Sequence, residues 1–164
     1  MSIENIGRIK GENLANLHSW CEEHRKLLSP TLSRYARGRQ ELWLRRYCDL
    51  RRDPTIVQGY RNERIEALGE RLLPGFHIGL FLLYPPKTCI LPHRDHGCLA
   101  PTAVSVNLSD VVFVLNEERH ELKNGDVTRF NSKSLHATEP KETERFALIF
   151  WHLKEKYVKP IKGE

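Results

Sequence analysis

The sequence predicts an α+β fold, with helices in the first half and a strand-built sandwich or barrel in the second. Apolar residues recur at helical spacing up to about residue 73. From His77 the chain turns to short β-rich runs separated by proline, glycine and asparagine. No linker or composition break divides the 164 residues, so they read as one domain. Residues 1–75 would give helical support, 76–153 the strand core and 154–164 a weakly ordered tail.

The first helix is expected over Asn13–Leu28, with Leu14, Leu17 and Cys21 on one face. Ser29-Pro30 ends it, because a residue before proline is pushed out of the helical region. A second helix is expected over Leu32–Leu50 and a third over Thr55–Leu73, closed by Pro74-Gly75. Strands follow at His77–Tyr84, Thr88–Asp95, Thr102–Leu108 and Val111–Asn116, then within His120–Phe130, and last at Arg145–Leu153. Asn124-Gly125 reads as a type I′ hairpin turn, which needs two residues with positive φ.

Composition is that of an ordinary globular protein, 40% hydrophobic and 29% charged. No apolar run reaches the 18 or so residues of a membrane span. The N-terminus lacks a basic-then-apolar leader, so a cytoplasmic protein is expected. Cys21, Cys48, Cys89 and Cys98 form no C-x-x-C pair and read as free thiols, with Cys98 a small buried filler. Net charge is +5. Nine arginines and no lysine fall between Arg34 and Arg64, which gives either Arg-rich solvent faces or a surface for phosphates.

The chemistry concentrates in three side chains. In a strand, residues i and i+2 share a face, so His93 and Asp95 of H-R-D would point together into the interior. His136 lies in a polar stretch after the DVTRF strand and supplies a third ligand. Two histidines and a carboxylate on one face of a metal leave positions open for oxygen chemistry. Arg145 begins an apolar strand, where a guanidinium needs an anionic partner. Tyr84, ending its strand, and Asn107, within another, are further candidates for the same ligand. His18, His24, His96 and His120 are bystanders.

These residues follow the pattern Y-x8-H-x-D, then G-D-V-x-x-F, His, eight residues, Arg and a closing apolar strand. From about Phe81 to Trp151 the chain resembles the 2-oxoglutarate- and Fe(II)-dependent oxygenases. HATEPKETERFALIFW is especially similar to their prolyl-hydroxylase-like branch. The resemblance implies a double-stranded β-helix (jelly-roll) core with N-terminal supporting helices. It implies that His93, Asp95 and His136 bind Fe(II) as the catalytic triad. The cosubstrate 2-oxoglutarate would chelate the iron through its keto acid end, its distal carboxylate meeting Arg145 and Tyr84. Three positions depart from related patterns. Lys87 stands where the branch commonly has glycine. Leu82 and Trp151 stand where AlkB-type demethylases carry asparagine and a second arginine.

The function expected is a dioxygenase that hydroxylates a small molecule or a peptide or protein residue, releasing succinate and CO2. An AlkB-type oxidative demethylase acting on nucleic acid is the alternative, motivated by the arginine cluster. A non-catalytic, cupin-like metal-binding module is the third reading, since jelly rolls host unrelated functions. Arg145 separates it from the first two, because such a module needs no buried arginine for a diacid. The primary substrate is expected to meet the helix-borne arginines and aromatics and the GCLAPTAV loop.

Overall fold

The computed structural model describes residues 3–49 and 55–161. In order they form β1 (Glu4–Arg8), α1 (Gly11–His24), β2 (Ser29–Pro30), β3 (Gln40–Leu44), β4 (Arg46–Asp49), β5 (Thr55–Gln58) and α2 (Glu63–Leu72). The second half forms β6 (Ile78–Tyr84), β7 (Leu99–Leu108), β8 (Val111–Leu115), β9 (Glu118–Leu122), β10 (Asp126–Asn131), β11 (His136–Thr138) and β12 (Arg145–Leu153). A seven-stranded sheet runs β1-β10-β7-β12-β6-β3-β2, a three-stranded sheet runs β11-β8-β9, and β4 pairs with β5. Every pairing between these strands is antiparallel. This is the jelly roll that the resemblance implies, with two helices packed against its larger sheet.

Alternation along the large sheet makes two cores. On β12, Phe146, Leu148 and Phe150 face α1 and α2, joining Leu17, Trp20, Ile65 and Leu68. Ala147, Trp151 and Leu153 face inward, with Leu80, Leu82 and Tyr84 of β6 and Phe113 of β8. Both faces are covered, so β6 is buried at every position and reads as an unbroken apolar run.

Several expected elements differ. Helix 13–28 begins at Gly11, ends at His24 and continues as a 3-10 turn over Arg25–Leu27. The expected helix Leu32–Leu50 is instead a loop followed by β3 and β4, and Leu50 lies outside the described residues. Leu42, Trp43 and Leu44 are contiguous because β3 packs against both cores, Trp43 on one side and Leu42 and Leu44 on the other. A helix would have needed them on one stripe. Residues 55–58 are a strand as well, so the third helix is only α2. The polar strand β1, whose residues are all exposed, gave no apolar signal.

Thr88–Asp95 is not a regular strand. It runs beside β11 through a single bridge, His93 to His136, and Pro92 has no N–H to extend the pairing. Asn124-Gly125 is no hairpin turn: β9 pairs with β8, while β10 pairs with β7 and β1. Only Gly125 has positive φ there (94°), and the turn carries the chain from the small sheet to the large one. The type I′ signature belongs to Asn116-Glu117, with φ of 49° and 70°, joining β8 to β9. Lys87 adopts φ 65°, a left-handed backbone that glycine takes at no steric cost, so the glycine of the related pattern would fit this position. The tail turns as a 3-10 segment over Glu155–Tyr157, and the Lys154 N–H donates to the Cys98 carbonyl. No helix among the described residues is long and apolar enough to cross a membrane.

Candidate metal centre and adjoining cavity

The space between the sheets is a cavity of about 990 Å³, open at one side. His93, Asp95 and His136 meet in it. Their ligand atoms lie within 4.8 Å of one another, the only such group among the described residues. Backbone bonds set the approach. His93 and His136 exchange N–H···O bonds at 3.0 Å each, and the Asp95 N–H donates to the Ser132 carbonyl at 2.9 Å.

The proton inventory of the site favours a cation. The Nδ1 atoms of His93 and His136 lie 2.8 Å from the Leu91 and Ser134 carbonyls. A carbonyl only accepts, so each Nδ1 carries a proton and each neutral ring turns a lone pair at Nε2 toward the cavity. Asp95 Oδ1 sits 3.3 Å from His93 Nε2 and 3.1 Å from His136 Nε2. Three electron-pair donors therefore converge with no proton required between them, the arrangement that a divalent cation satisfies. Where the two imidazoles are instead protonated at Nε2, their bonds to Asp95 outweigh its burial and hold the carboxyl well below the usual carboxylate range.

Asp95 Oδ2 accepts the Trp151 indole N–H at 3.0 Å. The indole fixes the carboxylate and leaves Oδ1 facing the two imidazoles. Sequence reading passed over this role, although Trp151 lies six residues after Arg145 and so on the same face of β12. His136 is packed by Phe113 and Phe130, and Tyr35 stacks on His93 at 5.5 Å between centroids.

Arg145 is 5% exposed and sits opposite Tyr84 in the β12–β6 register. Its Cζ lies 3.8 Å from the Tyr84 ring centroid, and Nη2 donates to Thr138 Oγ1 at 3.2 Å. No carboxylate is within salt-bridge distance of Arg145 among the described residues. Burial, above all, pulls its guanidinium below the usual value. Asn107 borders the same cavity and donates its amide N–H to the Asp126 carbonyl at 3.1 Å. Of the expected bystanders, none joins the metal-ligand group, although His96 borders the cavity and accepts the Cys98 N–H. Cys98 and Cys48 are buried free thiols with sulfurs 3.4 Å apart.

Among the described residues the arginine cluster does not form one surface. Arg45 and Arg61 pair with Glu66, and Arg39 is buried at the cavity. Arg51 and Arg52 lie outside the described residues.

No protein-family model matches the chain, and no curated protein matches it. Solved structures do. A prolyl hydroxylase of Trichoplax adhaerens, in complex with a peptide fragment of hypoxia inducible factor, superposes with a TM-score of 0.68 at 16% identity, covering 94% of this chain and 84% of that one. OsALKBH1 gives 0.66 at 15% identity, covering 92% and 97%. HygX of Streptomyces hygroscopicus, solved with nickel and 2-oxoglutarate, gives 0.60 at 14% identity, covering 91% and 81%. The chain thus carries the jelly-roll fold of these solved structures.

Proposed function

We propose that the protein is an Fe(II)- and 2-oxoglutarate-dependent dioxygenase that hydroxylates a small molecule or a residue of a peptide or protein. One observation carries this reading. A cavity that holds three converging metal donors also holds a buried arginine with no carboxylate partner among the described residues. Each needs a charge that the described residues do not provide, and a keto diacid on a divalent ion provides both.

In this reading His93, Asp95 and His136 would hold the ion, a donor set that leaves room for further ligands. When bound, Fe(II) and 2-oxoglutarate supply the oxidation: O2 is consumed, CO2 and succinate leave, and one oxygen atom stays on the substrate. The Leu91 and Ser134 carbonyls keep the two imidazoles in the ligating tautomer. Arg145 and Tyr84 hold the distal carboxylate, and Asn107 belongs to the polar wall beside them. Apolar side chains such as Leu80, Leu82 and Phe113 line the cavity and limit access of water.

Two features weigh against the nucleic-acid reading. Trp151 takes the position of the second AlkB-type arginine and instead orients Asp95. The arginines that suggested a phosphate surface are partly consumed in internal pairs. Binding to DNA or RNA that weakens steeply with salt would reinstate that reading.

The test is an anaerobic titration of metal-free protein with Fe(II) and then 2-oxoglutarate. A bidentate keto acid on non-haem iron should give a weak visible band near roughly 500–530 nm. His93→Ala or Asp95→Ala should remove the band and substrate-dependent succinate formation; turnover that survives either change sinks the assignment. Iron binding without the band would move the cupin-like module to the front.

A further inference from the structure

Arg39 is a second buried guanidinium at the same end of the cavity, and the reading above gives it no role. It is 6% exposed and lies on the loop between β2 and β3. Its Nη2 donates to Thr31 Oγ1 at 3.1 Å and its Nη1 to the Tyr84 hydroxyl at 3.3 Å. Its Nε is buried with no hydrogen-bond partner. No carboxylate lies within salt-bridge distance of it among the described residues. Glu41 also borders the cavity, but its Oε1 accepts the Leu32 N–H.

Two like charges therefore meet at one phenol. The Arg145 Cζ is 3.8 Å from the Tyr84 ring centroid, and the Arg39 Cζ is 5.7 Å from it. A buried charge is costly unless it is paired, and two together without a counter-ion more so. Arginine does not escape by losing its proton. Thr31, Thr138 and Tyr84 offer neutral oxygens only, so the missing negative charge must come from a ligand. Because Tyr84 is the shared neighbour of both guanidinia, one anionic group placed beside its hydroxyl can meet both.

We infer that Arg39 is a positioning residue that shares, with Arg145, the distal carboxylate of the cosubstrate. This rests on the 2-oxoglutarate reading and adds to it a selectivity device borne by the N-terminal segment. With two guanidinia at its far end, the site discriminates a keto diacid from a keto monoacid more strongly than one arginine would. The Thr31 N–H donates to the Arg39 carbonyl at 2.9 Å, so filling the site also ties this loop to β6 and β12.

The test compares 2-oxoglutarate with 2-oxopentanoate, the same five-carbon keto acid bearing a methyl group in place of the distal carboxylate. Both are titrated anaerobically into Fe(II)-loaded protein, read by the visible band and by calorimetry. Arg39→Gln should weaken 2-oxoglutarate binding about ten- to a hundredfold. Affinity for 2-oxopentanoate and for the metal should not change, so the ratio between the two acids falls by the same factor. Arg39→Lys, which keeps the charge, should recover part of the loss. It serves as the test variant should Arg39→Gln fail to fold, and wild-type selectivity in it alone would then overturn the proposal. An unchanged ratio in folded Arg39→Gln overturns it, as does equal weakening of both acids, which marks a structural role. Wild-type protein that holds Fe(II) but gives no band with 2-oxoglutarate fails the parent reading, and the role of Arg39 falls with it.

Discussion

Trp151 donates its indole N–H to Asp95 Oδ2 at 3.0 Å, and that contact decides which carboxylate oxygen faces the two imidazoles. Trp151→Phe keeps an aromatic ring in a site only 3% exposed but removes the donor. Loss of such a supporting bond lowers metal affinity about 10–100-fold, so Ni(II) or Mn(II) titration calorimetry should show that drop without a change in the circular dichroism spectrum. Equal affinity would remove Trp151 from the site. The three candidate ligands were legible in the sequence, although His93 and Asp95 were found through a regular strand that does not exist. They converge because one bridge to His136 and one bond to Ser132 hold an irregular segment extended. Trp151 was legible in principle, since it shares the face of Arg145. Arg39 was not, because nothing distinguishes it from its neighbouring arginines until the loop folds it inward.

At the scale of elements, legibility followed burial. The strands β6 and β12 announce themselves as apolar runs because covered sheets exclude polar residues from both faces. The stretch from 32 to 58 misleads for the same reason, since contiguous Leu42, Trp43 and Leu44 fit a doubly covered strand and also imitate part of a helical face. Helix α2 was found but not its start. Asn62 caps it by accepting the Ile65 N–H at 3.1 Å, and the same Oδ1 accepts the Trp20 indole N–H at 3.3 Å. One oxygen therefore both starts α2 and fastens it to α1. Asn62→Ala should lower stability by about 1–2 kcal/mol through the lost cap. The Trp20 donor, left in a site 2% exposed, adds to that loss. Asn62→Asp keeps the accepting oxygen and should stay near wild type in urea denaturation; if alanine matches wild type, the cap carries no weight.

Across the whole molecule, stability should depend on pH in one direction below neutrality. Glu66 is 8% exposed; burial raises its carboxyl, but Arg61, the Asn62 N–H and Arg45 outweigh that and lower it. Asp126, 3% exposed, follows the same balance, with Arg8 and the Lys123 N–H overcoming burial. A carboxyl whose folded value lies below its unfolded one, about 4, binds fewer protons when folded. Its contribution is complete above the unfolded value and disappears as pH falls through the folded one. Urea midpoints should therefore stay nearly constant from these groups between pH 6 and 8 and fall steeply below about pH 4. The two groups sit in different places. Glu66 joins α2 to the loops carrying Arg45 and Arg61, whereas Asp126 holds the turn between the sheets and meets Arg8 of β1. Glu66→Gln should start from lower stability at pH 7 and show a shallower acid limb, because one coupled proton is gone. An acid limb as steep as wild type would show that this cluster, although buried, does not govern acid unfolding. Hydrogen exchange near pH 4 then separates the two sites: loosening confined to β1 and the 123–126 turn assigns the first acid event to Asp126, and loosening of α2 assigns it to Glu66.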